Sequence, residues 1–177
     1  DAWQETMIPG MGYFGSARLT TKGRAVDQPV IRAEGVLQYN GATYNNQHIS
    51  DTDWVPTYPD LLTLANIGRH MSDTEWVADH IQDTLATIRS LDGEYALTWC
   101  TEQTVTFCTD VFGMRPLYYY STGEDITVSS LPGPVQELHR RYYRCEANSI
   151  YTWDRRTGTV SRQVNRQWDL SQTNRSY

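Results

Sequence analysis

The feature that most constrains this chain is an apolar, aromatic segment that runs into an Asn-Gly pair, at residues 36–45 (Val-Leu-Gln-Tyr-Asn-Gly-Ala-Thr-Tyr-Asn). Its first half is typical of a buried β-strand. Asn40 and Gly41 tolerate positive φ, so the pair predicts a turn where the strand ends. Such a turn presents a side-chain amide and a backbone N–H, and these two donors can stabilise a developing oxyanion. The alternative is a plain hairpin turn, which Asn-Gly also favours.

Length and composition predict one folded domain. A chain of 177 residues can bury a substantial core, and 39% hydrophobic residues with six Trp and twelve Tyr exclude a disordered protein. Strand-like segments at 12–19, 91–99, 105–109 and 126–130 flank a helical pattern, and a closing hairpin is expected near 147–160. This mixture predicts an α+β layered domain.

The helical pattern at 72–90 begins with Ser72-Asp73-Thr74-Glu75, the sequence of a capping box in which Ser72 and Glu75 bind each other's backbone. An apolar stripe with helical spacing follows, formed by Val77, Ile81, Leu85 and Ile88. Asp73 would lie at the helix N-terminus, where the helix dipole favours a carboxylate.

Charge and cysteine content narrow the functional classes. The net charge of −6 and a pI near 5.1 argue against a nucleic-acid binder. No apolar run approaches the roughly 20 residues of a membrane span. Cys100, Cys108 and Cys145 show no metal spacing, and no phosphate-cradling Gly loop is present, so we expect no metal and no cofactor. An odd number of cysteines favours buried thiols in a reducing intracellular compartment, cytoplasm or mitochondrion.

Four short segments, in a fixed order, resemble the motifs of one family. Residues 16–19 are similar to His-x-Arg-Leu, 40–45 to Asn-Gly-Glu-Ile-Tyr-Asn, and 110–119 to Asp-x-Phe-Gly-x-(Lys or Arg)-Pro-Leu-Tyr-Tyr, while 72–75 is Ser-Asp-Thr-Glu itself. These motifs resemble those of the class II glutamine amidotransferase domain, the N-terminal-nucleophile domain at the head of asparagine synthetases. The resemblance covers roughly residues 1–162. It implies a four-layer αββα sandwich, in which two mostly antiparallel sheets face each other with helices outside.

The resemblance also implies site residues. Asn40 and Gly41 would form the oxyanion hole for glutamine hydrolysis, Arg18 would bind the glutamine carboxylate, and Asp73 would bind its α-amino group. An Arg offers a carboxylate a bidentate fork. Alternatively, Arg18 is a strand residue whose charge reaches solvent, and capping alone accounts for Asp73.

Two departures from the family separate the functional hypotheses. Residue 1 is Asp where the family has a nucleophilic Cys, and Ala42 stands where the family has a Glu. We therefore expect the chain to begin inside the domain, without the family's first strand, first helix and nucleophile. The domain would span 1–168, followed by a polar tail at 169–177. The ATP motif of the synthetase domain is absent, which excludes asparagine synthesis by this chain alone.

Three hypotheses follow. The first is a catalytically inactive structural or interaction subunit of a larger assembly, bound to a protein partner. The second is an active glutaminase half, completed by a separate or cleaved upstream chain that carries the Cys. The third is a glutamine-binding sensor that uses Arg18 and Asp73.

Overall fold

The computed structural model describes residues 2–18, 26–43, 73–81, 83–133 and 141–167. Within them lie two α-helices and eleven β-strands. The helices are α1 (Asp73–His80) and α2 (Thr84–Ser90). The strands are β1 (Ala2–Ile8), β2 (Gly12–Arg18), β3 (Val30–Arg32), β4 (Gly35–Thr43), β5 (Gly93–Cys100), β6 (Thr104–Thr109), β7 (Tyr118–Ser121), β8 (Ile126–Ser129), β9 (Tyr143–Arg144), β10 (Ser149–Asp154) and β11 (Thr159–Val164).

Three antiparallel sheets organise the described residues. The largest has six strands in the order β11-β10-β6-β5-β4-β3. A two-stranded sheet, β1-β2, and a three-stranded sheet, β8-β7-β9, form a second layer. The site expected at Asn40 and Gly41 lies on β4, so it is supported by β5 at the middle of the large sheet.

The two faces of the six-stranded sheet bury separate apolar clusters, because side chains alternate along each strand. On one face, Val77 and Ile88 of the helices pack with Leu37 and Tyr39 of β4. The opposite face carries a second cluster, which includes Phe14 from β2. The result is a helical layer, the large sheet and a second sheet layer. The expected α+β class with two packed sheets is confirmed, and the described residues supply three of the four expected layers.

The prediction that β4 ends in a turn at Asn40 and Gly41 is wrong. The strand continues to Thr43, and its register with β5 stays regular there, with Asn40 opposite Ala96 and Gly41 opposite Tyr95. The plain hairpin turn is therefore also excluded. A local turn preference is outweighed here by hydrogen bonding to a central strand, which the sequence of β4 alone does not reveal.

The single helix predicted at 72–90 is two helices. Asp83 caps the second one, since its carboxylate accepts the Ala86 N–H at 3.2 Å. The predicted apolar stripe is nevertheless correct, because Val77, Ile81 and Ile88 are buried and Leu85 packs against them. Ser72 of the expected capping box lies outside the described residues, as do the short helices expected near 61–67 and 135–140 and the tail at 169–177.

One strand and one connecting segment also differ from the sequence-based expectation. β1 was not predicted, because its mixed polar and apolar residues carry no clear strand period, yet it pairs with β2 along its whole length. In the motif at 110–119, Gly113 permits a tight turn and Pro116 fixes φ, which predicts a connection between two central strands. The motif instead leads from β6 of the large sheet to β7 of the three-stranded sheet, so it connects the two sheet layers.

Asp110 holds this connection together. Its carboxylate is fully buried and accepts backbone N–H groups from Phe112 at 2.9 Å, Met114 at 3.0 Å and Tyr95 at 3.3 Å. Gly113 turns the chain with φ +67°, a conformation that glycine adopts without steric cost. One side chain therefore satisfies donors from both β5 and the turn.

We expect Asp110→Asn to lower the free energy of unfolding by about 3 kcal/mol, since an amide N–H₂ would face buried donors and the charge-assisted bonds would be lost. Chemical denaturation monitored by tryptophan fluorescence measures the change. Asp125→Asn, at an exposed carboxylate, is the matched control and should change it by less than about 0.5 kcal/mol. Equal losses in the two variants would refute the role given to Asp110.

Candidate functional site

Asn40 and Gly41 occupy one end of β4. By strand alternation, Asn40 lies on the same face as Val36 and Gln38. That face is directed at the β1–β2 sheet, because Gln38 Nε2 donates to the Gly15 carbonyl at 3.0 Å. Asn40 is exposed rather than consumed by core packing. Its amide is therefore presented in the space beside the second sheet layer.

Gly41 is constrained on the β5 side and, among the described strands, has no paired partner on the other side. Its φ is +154°, and a Cβ at this position would overlap the Glu94 carbonyl oxygen and lie 2.6 Å from the Tyr95 Cα. Alternation of the antiparallel ladder directs the Gly41 N–H away from β5. On that side β3 pairs only as far as Val30 opposite Leu37, so the ladder ends before it reaches Gly41.

Arg18 is the last residue of β2, and the structure describes its backbone. Gly15 lies beside Gln38, and the Ser16 hydroxyl donates at 3.4 Å to the carbonyl of Gln28, a residue bonded in turn to Tyr39. β2 and β4 therefore advance in the same direction, which brings the end of β2 toward the end of β4.

Asp73 is the first residue of α1, on the opposite face of the large sheet. Asp79, at the other end of the helix, pairs at 2.6 Å with Arg32, which lies opposite Gly35 at the start of β4. Because α1 packs along β4, Asp73 lies toward the end of the strand that carries Gly41. Arg18 and Asp73 thus approach this end from different faces.

Gln28 is a residue whose importance sequence reasoning missed, since the Gln-Pro pair was interpreted as a loop signal without chemistry. Its side-chain amide bonds both main-chain polar groups of Tyr39, directly before Asn40. The register that pairs Val30 with Leu37 also places Gln28 opposite Tyr39, a relation that the sequence alone does not reveal.

The three thiols are unsuited to nucleophilic attack. Cys100, Cys108 and Cys145 are free and buried. Burial raises the pKa of Cys100 and of Cys145 to about 12, and raises the pKa of Cys108 further. A protonated thiol is a poor nucleophile. Cys100 also pairs with Val36, at the end of β4 remote from Gly41.

The register of β5 on β6 sets the relative position of two of these cysteines. Cys100 lies opposite Val105, whereas Cys108 lies opposite Leu97, so the two occupy neighbouring strands without facing each other. Across the described ranges, no group of three or more His, Cys, Asp or Glu side chains is arranged to hold a metal ion. None of the helices described here is long and apolar enough to cross a membrane.

A family model for the glutamine amidotransferase domain matches residues 17–136, which is more than half of the chain and includes Arg18, Asn40, Gly41 and Asp73. The chain belongs to this glutamine amidotransferase family. No curated protein matched the chain in a sequence search.

Solved structures confirm the N-terminal-nucleophile fold of this glutamine amidotransferase domain. Glutamine phosphoribosylpyrophosphate amidotransferase from B. subtilis, determined with ADP and GMP, is similar with a TM-score of 0.57 and 20% identity over 88% of this chain and 35% of that one. A structure described as the allosteric regulatory enzyme of purine biosynthesis is similar with a TM-score of 0.59 and 20% identity, over 78% and 31%. The chain thus spans about a third of the length of these relatives.

We expect Gly41→Ala to lower the free energy of unfolding by about 3 kcal/mol, because the new methyl group is strained by its φ and overlaps the backbone of β5. Gly10→Ala is the matched control, with φ +77° and no atom within 4 Å of the added Cβ. It should cost only the conformational term of about 1 kcal/mol. Equal losses in denaturation experiments would contradict the close contact between β4 and β5.

The raised thiol pKa values predict alkaline instability. In the unfolded chain the thiols ionise above about pH 8.5, whereas Cys100 and Cys145 in the folded chain ionise only near 12. The thiol contribution to the free energy of unfolding is therefore constant below about pH 8.5 and falls as the pH rises toward 12. Denaturation at pH 7.5 and 9.5 measures this loss.

The same burial predicts protection from alkylation. At pH 8, iodoacetamide should label the folded protein far more slowly than the urea-unfolded chain, in which all three thiols react. Mass spectrometry counts the adducts. A cysteine that labels as fast in the folded protein as in urea would contradict the placement of the thiols in the core.

Proposed function

We propose that this domain is a glutamine amidotransferase-fold subunit that does not use Cys100, Cys108 or Cys145 to hydrolyse glutamine. The observation that carries the proposal is the burial of Cys100, Cys108 and Cys145, together with their raised pKa values. Hydrolysis through a covalent intermediate requires a thiolate within reach of the substrate amide. A thiol sealed in the core and held protonated does not meet this requirement.

Ala42 supports the same conclusion from the substrate side. It lies two residues after Asn40 on the same face of β4, and it is exposed. A methyl group provides neither charge nor a hydrogen-bond acceptor for the ammonium group of an amino acid. Binding of free glutamine at this end of β4 should therefore be weaker than in a protein that has a carboxylate at the same position.

The exposed apolar side chains on the β1–β2 hairpin support a role in assembly. Met7 and Tyr13 lie opposite each other in the register, and 55% and 78% of their surfaces are exposed. Adjacent exposed apolar side chains at such a position favour contact with another protein. We propose that the domain acts as an interaction subunit of a larger assembly through this layer.

A second candidate function is an active glutaminase half to which another polypeptide supplies the thiol. The observation that favours it is the geometry of the donor pair, by which we mean the Asn40 side-chain amide and the Gly41 N–H. Asn40 is exposed, and the Gly41 N–H is directed to the edge of β4 beyond the last β3 pair, where no strand of the described residues continues the ladder. In this part of the chain both donors can face an oxyanion. Arg18 and Asp73 would bind the amino-acid end of glutamine, a role that would also suit a glutamine sensor.

Ammonia release from glutamine by the purified chain tests the first candidate. We expect no release above that of buffer, and the same result for a variant in which all three cysteines are alanine. Release that the wild type supports and the cysteine-free variant does not would overturn the proposal. Release that persists without cysteines but is lost in Asn40→Ala would assign hydrolysis to the donor pair with another nucleophile, and would also overturn it.

The composition of the native assembly distinguishes the two candidate functions. Intact-mass analysis of the complex purified from its source should reveal protein partners without an N-terminal Cys fragment if the domain is non-catalytic. If such a fragment is present, the active-half hypothesis is favoured. In that case Asn40→Ala should lower glutaminase activity of the assembly by about 100- to 1,000-fold.

A further inference from the structure

We infer that Gln28 is a positioning residue for the donor pair, an inference that rests on the oxyanion-binding role proposed for Asn40 and Gly41. The Gln28 side chain makes two hydrogen bonds to the main chain of Tyr39. Its Nε2 donates to the Tyr39 carbonyl at 2.7 Å, and its Oε1 accepts the Tyr39 N–H at 2.9 Å. We call this two-bond contact the Gln28 clamp. Tyr39 directly precedes Asn40, so the clamp acts one residue from the donor pair.

The clamp extends the β3–β4 ladder with side-chain hydrogen bonds in place of main-chain hydrogen bonds. β3 pairs with β4 from Arg32 opposite Gly35 to Val30 opposite Leu37. The same register, extended by two residues, would place Gln28 opposite Tyr39. Pro29 interrupts the strand because it has no N–H to donate. The Gln28 amide therefore provides one donor and one acceptor where the main chain of a longer β3 would have provided them.

The alternation of the ladder connects the clamp to the donor pair. Both polar groups of Tyr39 are directed away from β5, toward the edge where β3 and Gln28 lie. The Gly41 N–H is directed to the same edge, two residues further along. Among the described residues, Gln28 thus fills the last hydrogen-bonding position on this edge before that of the Gly41 N–H. It also fixes the peptide between Tyr39 and Asn40, and with it the direction of the Asn40 side chain.

Gln28 is itself held by the second sheet layer. Its N–H donates to Gln4 Oε1 on β1 at 3.1 Å, and its carbonyl accepts the Ser16 hydroxyl of β2 at 3.4 Å. Gln4 Nε2 in turn donates to Asp27 Oδ1 at 2.6 Å. The clamp therefore joins both strands of the two-stranded sheet to the residue before the donor pair.

Gln28→Met tests the clamp in the full chain, with Gln38→Met as the matched control. Both glutamines use Nε2 to bond a backbone carbonyl, but Gln38 bonds Gly15 and does not bond Tyr39. NMR measures amide hydrogen exchange at Tyr39 and the ¹H–¹⁵N signals of the donor pair. In Gln28→Met, we expect Tyr39 exchange to rise about tenfold and both donor-pair signals to shift. In Gln38→Met, we expect Tyr39 exchange to be unchanged, because Gln28 still bonds Tyr39. Residue 38 lies two positions before Asn40 on the same face of β4, so its donor-pair shifts set the reference that Gln28→Met must exceed.

Gln28→Glu adds a reversible readout that a purely structural role would not produce. A protonated carboxyl group has a donor and an acceptor, like the amide, whereas a carboxylate has only acceptors. At about pH 4, near the ordinary pKa of Glu, we expect the donor-pair signals to approach their wild-type positions, and at pH 7 to depart from them. The wild type is titrated in parallel, so that the pH response common to both proteins is subtracted.

The outcomes are separable from those that test the proposed function. Donor-pair signals that shift no further in both Gln28 variants than in Gln38→Met, together with Tyr39 exchange that does not rise in Gln28→Met, would overturn the inference. If Gln28→Met does not fold, the pH response of Gln28→Glu decides alone, and a spectrum identical to wild type at both pH values overturns the inference.

Glutamine is then added to the wild-type protein to test the proposed function separately. Donor-pair signals unchanged by glutamine would count against glutamine binding there and leave the exchange results on Gln28 intact.

Discussion

The antiparallel pairing between β4 and β5 is the interaction on which the rest of the molecule depends. It runs from Val36 opposite Cys100 to Thr43 opposite Gly93 without interruption. This pairing carries Asn40 and Gly41 straight through a sequence that would otherwise turn. Because Gly41 has no side chain, the backbone of β5 can approach closely, and the Gly41 N–H is directed to the opposite edge. The candidate site is thus a consequence of strand pairing, not of a loop.

Around this pair of strands, polar side chains substitute for backbone at the points where the ladder stops. Gln28 provides the hydrogen bonds that β3 does not reach. At the far side of β5, the buried Asp110 carboxylate satisfies the N–H groups of a turn and of Tyr95. Both devices lie where the large sheet meets the second sheet layer. Cys100 and Cys145 lie in the apolar cluster between the two sheet layers, whereas Cys108 lies in the cluster beneath the helices. All three are buried and contribute no reactive group.

Much of the fold was predictable, because its strongest elements are encoded locally. The apolar pattern of β4, the hairpin of β5 and β6, the turn after Asp110 and the closing hairpin each follow from their own residues. What was not predictable depends on partners distant in sequence. The continuation of β4 past Gly41 needs β5, and the role of Gln28 needs the register of β3 on β4. The break before α2 was hidden because the apolar stripe continues across Asp83.

Of the site residues, Asn40 and Gly41 are neighbours in the sequence, whereas the approach of Arg18 and Asp73 depends on the packing of β2 and α1.

The central claim is that the scaffold of a glutamine amidotransferase is present here while its attacking thiol is not among this chain's cysteines. A glutamine analogue with an electrophilic diazoketone at the side-chain end alkylates a thiol that lies at the oxyanion site. After incubation of the folded chain with this reagent, the intact mass should be unchanged, because Cys100, Cys108 and Cys145 are buried. A stoichiometric adduct on any of these cysteines, formed in the folded protein and prevented by excess glutamine, would contradict the account.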